Sequence, residues 1–352
     1  MGTIDDHPLR YGLANELHAR PFPPLDPPAR AAFLAIKRPE DAAKRDKSAD
    51  LAHLCELLDR FGAHHPKPGA THWYGQIGNH DLKWESHTEF VTYTVFGRGV
   101  ADTPFDSRTF EVFPQDWLDR APGQRVTSAL IRVELQDGAD GIAEKLDAWF
   151  VPESLAASAV VDEGALIAGD FRIDSAGHIR FAVFARPGLG VRRLGRIAQR
   201  LCEIEVYKSM SMLGLARVRS IGARMGEVDG ELIELMGDMT SEARRPEGTL
   251  QSLLKISTEL ESMLAKSAFR FGATRAYAAI VHDRIDVLRE ERFDGRQTFK
   301  EFMVRRFDPA MRTVEATEYR LGTMAERSMR AANLLRTQVD VERSAQNQAL
   351  LE

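Results

Sequence analysis

The sequence predicts an α+β fold in which a mixed-sheet domain, residues 1–189, precedes a long-helix domain, residues 190–352. Fourteen of the sixteen prolines and all four tryptophans lie in the first part. Proline lacks an N–H and clashes with the preceding turn, so helices exclude it from their interiors. We therefore expect the second part to be almost entirely helical. Lys and Arg number 20 against 28 Asp and Glu up to residue 189, and 27 against 24 after it.

Short apolar runs and alternating aromatic or β-branched residues predict the strands of the first domain. These strands lie at 31–36, within 81–97, at 126–135, at 165–173 and at 178–185. The last two flank Asp174–Gly177, whose composition is typical of a hairpin turn. Leucines at helical spacing predict a helix over 41–61, and a second short helix is expected over 138–150.

Apolar residues at spacings of three and four predict three long helices in the second domain. They cover about 190–236, 249–291 and 310–352, with a short helix over 296–306. Asp308 followed by Pro309 is typical of a helix start. The long tracts exceed the ~8–20 residues of typical globular helices and indicate coiled-coil or stalk packing. A homo-oligomer is the expected assembly.

The last of these tracts shows no sign of ending. It has no proline after Ala310, one glycine (Gly322), and no Gly or Asn C-cap. We expect it to lead into a C-terminal membrane anchor outside this sequence; the alternatives are a frayed tail and a cloning remnant at the closing Leu-Glu. Arginines outnumber acidic residues from 320 to 351. Because basic residues near a membrane span stay on the cytoplasmic side, we expect this portion to face the cytoplasm at the inner membrane.

Composition excludes some classes of function. The net charge of −5 argues against a general nucleic-acid binder. Two distant cysteines, Cys55 and Cys202, form no motif and are expected to be buried thiols in a reducing compartment. Neither a nucleophile elbow nor a P-loop is present, so no catalytic residue is assigned and an enzyme is not the favoured interpretation.

A metal site is one hypothesis for the first domain. Glu85, His87 and Glu89 alternate on a predicted strand, so their side chains would point to one face. Carboxylate and imidazole ligands suit zinc, manganese or iron. A solvated or salt-bridged sheet face is the alternative. A divalent cation is the only cofactor that the sequence suggests.

Two further patterns have a structural and a functional interpretation. Gly188–Gly190 with Arg192 and Arg193 could bind an anion at a helix N-terminus, or could form an ordinary domain junction. Glu203 and Glu205 could do acid/base work, although Glu-to-Lys pairs are common in helices.

Five stretches of the sequence resemble a bacterial family of uncharacterised membrane-anchored proteins, classed as a domain of unknown function. They are Asn15–Phe22, Lys83–Phe90, Leu201–Lys208, Pro309–Thr313 and Leu334–Val341. The resemblance covers nearly the whole chain and implies a pair of membrane segments after residue 352. The family has no assigned catalytic residues.

The order of elements is also similar to that of CorA-type magnesium channels. That resemblance implies a regulatory or gating cytosolic domain of a cation transporter, or a membrane scaffold acting through oligomerisation. The acidic groups of the first domain would then sense cations between neighbouring subunits. The alternative is a metal-dependent enzyme or ligand sensor that uses Glu85, His87 and Glu89.

Overall fold

The computed structural model describes residues 4–11, 14, 22–39, 45–239 and 246–349. The chain forms two compact units. The first, the sheet unit, comprises Met1–Val206 and Ile285–Phe299; the second, the helical unit, comprises Tyr207–Arg284 and Lys300–Glu352. The predicted α+β class is confirmed. The domain boundary at residue 189 stays a prediction.

The sheet unit is built on a nine-stranded mixed sheet. In chain order the strands are β1 (Ala29–Lys37), β2 (His72–Ile77), β3 (His80–Ser86), β4 (Val91–Arg98), β5 (Gln124–Leu135), β6 (Ala156–Val160), β7 (Ala165–Gly169), β8 (Ile179–Ala185) and β9 (Glu291–Arg292). Their spatial order is β2-β3-β4-β1-β5-β8-β7-β6-β9. Every pairing is antiparallel except that of β5 with β8, which is parallel.

Short helices cover one face of this sheet. They are α1 (Lys47–Arg60), α2 (Gln115–Leu118) and α3 (Ile142–Trp149), with a 3₁₀ turn at Ser107–Val112. Asp46 caps α1 by accepting a hydrogen bond from the Ser48 N–H at 2.9 Å. Leu54, Leu57 and Leu58 of α1 then pack against Trp84 of the sheet. This core fixes which face of β1 and β4 the helices cover.

The helical unit consists of three long helices and a short one. They are α4 (Val191–Asp238), α5 (Pro246–Asp286), α6 (Phe299–Arg306) and α7 (Asp308–Ala349). The unit takes α4 from Tyr207 onward and α5 up to Arg284. Buried residues recur at intervals of three and four along each long helix, which is the pattern of coiled-coil packing. One cluster joins Val218, Ile221, Met225 and Val228 of α4 to Ile256 and Leu260 of α5 and Leu321 and Met324 of α7.

Most of the predicted elements are present. The final helix was expected over 310–352 and is confirmed as the single helix α7, with residues 350–352 outside the described ranges. Residues 41–44 of the helix expected over 41–61 also lie outside them. The buried apolar residues of the three long helices pack against one another within the chain. Assembly into a homo-oligomer stays a prediction.

Two strands end earlier than predicted. The strand expected over 165–173 stops at Gly169, and the chain leaves the extended conformation at Phe171, whose φ is 53°. The Asp170 carboxylate accepts hydrogen bonds from the Val151 N–H at 3.1 Å and the Arg172 N–H at 3.2 Å. The region 81–97 is two strands. A turn separates them, in which the His87 N–H bonds to the Phe90 carbonyl at 2.9 Å.

Candidate functional site

The three residues predicted to hold a metal do not share a strand. Only Glu85 lies in β3; His87 and Glu89 follow in the turn before β4. The Glu85 carboxylate is 3.1 Å from the Lys83 ammonium group, and the Glu89 carboxylate is 3.9 Å from the Lys37 ammonium group. The His87 ring stacks on Phe90. No three His, Cys, Asp or Glu side chains in the described ranges are grouped so that they could hold a metal ion. The metal hypothesis thus has no geometric support here.

Glu85 instead belongs to a buried charged layer under α4. The sheet register places Glu85 beside Thr92, Thr92 beside Ala35, and Ala35 beside Thr127, so these residues form one row across four strands. Residues directly opposite one another in a sheet share a face. The Thr127 hydroxyl donates a hydrogen bond of 2.8 Å to the carboxylate of Glu205, which descends from α4.

The charged layer also includes Lys83, which is two residues before Glu85 and therefore on the same face. Lys83 is 3% exposed and Glu205 is 1% exposed. Cys202 lies one turn before Glu205, and burial raises the pKa of its thiol, with Glu203 adding to the effect. A buried, protonated thiol is a poor nucleophile. The layer is closed to substrate, and its effect is to position α4 on the sheet.

A second buried pair, which the sequence did not reveal, lies on the opposite face of the sheet, where the His178 ring contacts Phe110. The Ser128 hydroxyl is 2.9 Å from Nδ1 of His178, the spacing of a nucleophile and its base. Both residues are buried, and burial lowers the pKa of His178. The Ser128 hydroxyl also donates to the Gly177 carbonyl at 3.2 Å. These contacts tie β5 to the β7–β8 hairpin turn, a structural role.

The predicted anion site at Gly188–Gly190 precedes α4, which begins at Val191. The first turns of this helix are covered by the segment that leads into β1. The Leu25 N–H bonds to the Val191 carbonyl at 3.1 Å. A Cβ at Gly195 would lie 1.7 Å from the Pro23 carbonyl oxygen, so only glycine fits there. Anion binding stays a prediction.

The helical unit contains an open groove that the sequence analysis missed. It lies between α5, from Phe271 to His282, and the first turns of α7, from Asp308 to Glu318, and has a volume of about 440 Å³. Phe271, Ala278, Met311 and Val314 supply apolar surface. The groove falls within the 300–1,000 Å³ that is usual for ligand pockets.

Charged pairs bridge the two helices along this groove. The Arg275 guanidinium lies 2.5 Å from the Glu318 carboxylate, and Nε2 of His282 lies 3.1 Å from Oδ1 of Asp308. The contact between His282 and Oδ1 of Asp308 is an ion pair by distance only. Its angles do not suit a hydrogen bond, so this buried oxygen accepts none within the described ranges. These pairs fix the spacing of α5 and α7.

Two further charged side chains of the groove differ from those pairs. Arg312 and Glu315 line it from α7, and neither makes an ion pair within the described ranges. They are three residues apart, so they are neighbours on the helix surface, with about 5–6 Å between Cβ atoms. The groove is therefore lined by one arginine and one glutamate that make no ion pair within the described ranges, beside an apolar floor.

A comparison with protein families bears on the whole chain. Residues 5–352 match the family described as Protein of unknown function (DUF3422). The chain belongs to this family. No relative matches among curated proteins or among solved structures. The resemblance to a family of unknown function is thus confirmed, whereas membrane anchoring and the CorA likeness stay proposals. Membership in the family assigns no chemistry.

Three of the stretches that resemble the DUF3422 family fall on two features of this member. Lys83–Phe90 and Leu201–Lys208 both contribute to the charged layer, where Lys83, Glu85 and Glu205 all act electrostatically on Cys202. Pro309–Thr313 contributes Met311 and Arg312 to the groove. Asn15–Phe22 lies outside the described residues except for Phe22.

The sequence offered weak signals for the groove. His282 is the only histidine after residue 178, and Ala278-Ala279 marks a small-residue step on α5. Neither predicts a groove without knowing that α7 packs beside α5. Among the helices of the described ranges, none combines the length and apolar character that crossing a membrane requires.

Proposed function

We propose that this protein is a binding module of regulatory type, whose helical unit takes a small apolar zwitterion in the groove between α5 and α7. A short peptide with free ends is the representative ligand. The observation that carries this proposal is the pairing of an apolar groove of about 440 Å³ with the unmatched charges of Arg312 and Glu315.

The apolar part of such a ligand has a surface to occupy. Burial of apolar area contributes about 25 cal/mol per Å². Met311 and Val314 of α7 face Phe271 and Ala278 of α5, so side chains of the ligand would enter between two helices rather than lie on one. The groove is preformed, which limits the ordering that binding requires.

The charges give the ligand its orientation. The guanidinium of Arg312 is suited to a carboxylate, which it can hold through two parallel hydrogen bonds. The carboxylate of Glu315 is suited to an ammonium group. A dipeptide spans at most about 7 Å between its ends, comparable to the spacing of residues i and i+3 on a helix.

The groove supports binding rather than catalysis. Thr274 is its one hydroxyl-bearing residue, and that hydroxyl already donates to the Ser211 carbonyl across the helix pair. His282 is held against Asp308 at the opposite end of the groove lining. Neither is arranged with the other as a nucleophile and base.

Isothermal titration with three probes tests the proposal. The probes are leucyl-phenylalanine, its N-acetyl derivative and its C-terminal amide. We expect the unmodified dipeptide to bind most tightly and each blocked form to bind at least several-fold more weakly. Arg312→Gln should remove the preference for the free carboxylate, and Glu315→Gln the preference for the free ammonium.

Arg336→Gln is the matched control, because Arg336 is an exposed arginine on the same helix and lies outside the groove. It should bind all three probes as the parent does. Absence of binding at millimolar dipeptide, or equal affinities for the three probes, would overturn the proposal.

Two predictions from the sequence, membrane attachment and a CorA-like role, remain proposals that do not depend on the groove. Membrane attachment at the cytoplasmic face of the inner membrane and a CorA-like gating or scaffolding role would give the module an effector. A ligand that bridges α5 and α7 would then act by changing the helical unit. No specific observation favours the metal-dependent alternative at Glu85, His87 and Glu89.

A further inference from the structure

We infer that α7 pairs antiparallel with α7 of a second copy of this chain, about a two-fold axis that crosses the helix opposite Ser328. This inference does not depend on ligand binding in the groove. It rests on an outward stripe of α7 whose residues are complementary to themselves when the stripe is turned end to end.

The stripe is a single face of the helix. Its members recur at intervals of three and four: Ala316, Tyr319, Thr323, Glu326, Arg330, Leu334, Thr337 and Val341. With about 100° of rotation per residue, all of them lie within about 60° of the side opposite Ser328. Ser328 itself is fully buried, together with Leu321 and Leu335 on the same side. The stripe therefore points away from the core of the helical unit.

The large members of the stripe are unusually exposed for their type. Tyr319 is 77% exposed, Leu334 is 67% exposed and Val341 is 63% exposed. They are spread over six turns of one helix face, with polar and charged residues between them. Exposed large apolar side chains aligned on one face of a helix can be buried by a second helix that carries the same pattern.

Antiparallel pairing about Ser328 matches large residues to small ones. Leu334 comes within one residue of the level of Thr323 of the second copy, Val341 within one residue of Ala316, and Tyr319 level with Thr337. Each match occurs twice by symmetry, because a two-fold interface uses the same patch on both subunits. Alternation of large and small side chains across facing positions is what lets two helices approach closely.

The same register matches charges. Glu326 comes level with Arg330 of the second copy, and Arg330 with Glu326. Within one chain these two residues already contact each other at 3.3 Å, with 72% and 64% of their side chains exposed. Pairing would add two intermolecular contacts of opposite sign, whereas a parallel in-register pair would place like charges together. Charge complementarity thus selects both the partner and its direction.

The expected dimer is weak. One helix stripe buries less than the ~800 Å² per partner of a standard interface. We expect dissociation in the micromolar range, so that dimers dominate only at high protein concentration.

Charge exchange in sedimentation experiments tests the inference on the full chain. Glu326→Arg and Arg330→Glu should each abolish dimerisation, because each places like charges level with one another. An equimolar mixture of the two variants should form a heterodimer, and the double variant should dimerise like the parent.

Arg336→Glu is the control, since it makes the same change on α7 at a position outside the stripe; it should leave dimerisation unaltered. All these side chains are exposed, so folding is preserved and circular dichroism verifies it. A parent chain that stays monomeric at hundreds of micromolar, or a mixture that stays monomeric, would overturn the inference. So would equal effects of Arg330→Glu and Arg336→Glu.

Discussion

The hydroxyl of Thr127, in the middle of the sheet, donates a hydrogen bond of 2.8 Å to the carboxylate of Glu205, in the first part of the longest helix. Both residues are almost fully buried. The bond joins residues 78 positions apart. Because a buried carboxylate is costly without donors, the position of α4 on the sheet depends on this contact and on its charged neighbours.

Replacing the donor tests that dependence. Thr127→Val keeps the shape of the side chain but leaves the Glu205 carboxylate short of a donor, so the free energy of unfolding should fall by about 1–3 kcal/mol. Thr127→Ser keeps the hydroxyl and loses one methyl group, for about 0.8 kcal/mol. Urea unfolding of both variants measures the difference. Equal losses would show that the hydrogen bond is not what matters.

The sequence predicted the fold because its strongest signals are local. Proline content distinguished the mixed α+β part from the helical part. Apolar spacing located the long helices, because helix packing depends on residues three and four positions apart. It missed β2, β6 and β9. β2 is a half-exposed edge strand, and β9 has only two residues. Such strands exist through their partners rather than through their own pattern.

The candidate sites could not be predicted from local sequence patterns, because each is formed by residues that are distant in the chain. The spacing of Glu85, His87 and Glu89 predicted one strand face, but the hydrogen bond between His87 and Phe90 ends the strand. The charged layer brings Glu85 and Glu205 close to the same residue, Cys202, and the groove brings Ala278 and Met311 into one lining. Which distant residues meet is decided by tertiary packing, and no spacing within one segment encodes it.

Cation sensing by the acidic first domain stays a prediction and has a direct test. A divalent ion that binds only the folded state must raise the unfolding midpoint by mass action. Thermal melts with and without millimolar magnesium, manganese or calcium, at matched ionic strength, therefore measure it. A CorA-like sensor requires a higher midpoint with at least one ion. Unchanged midpoints with all three would remove the sensor hypothesis.

Stability should decrease in mild acid because of His53. Its ring is buried, with Nδ1 3.0 Å from the Tyr93 hydroxyl and Nε2 3.0 Å from the Trp117 carbonyl. Burial lowers the pKa of His53 below its usual 6.5. The unfolded state therefore takes up a proton before the folded state does. The stability that neutral His53 contributes is therefore present above about pH 6.5, the pKa of histidine in the unfolded chain. It is lost as the pH falls below that value, by at most about 1.4 kcal/mol per pH unit.

Chemical unfolding between about pH 8 and about pH 5.5 measures this slope. His53→Gln removes the titrating group, so its stability should depend less on pH than that of the parent, although it is lower at neutral pH. His178, whose pKa burial also lowers, should account for part of the slope that remains. Parallel curves for parent and variant would contradict the assignment to His53.

Two glycines of α4 should respond to alanine with opposite signs. A Cβ at Gly214 would lie 2.3 Å from Oγ1 of Thr274, which is buried on the facing side of α5. Overpacking of this kind costs about 1–3 kcal/mol. Gly222 lies two turns further along the same helix, and a Cβ there meets nothing within 4 Å. Alanine at that position should stabilise the protein by about 0.5–1 kcal/mol, because glycine loses more backbone entropy in a helix. Thermal melts measure both effects: the unfolding midpoint of Gly214→Ala should fall and that of Gly222→Ala should rise. If both variants were stabilised, α4 and α5 would not be in close contact at Gly214, and the packing of these two helices would have to be different.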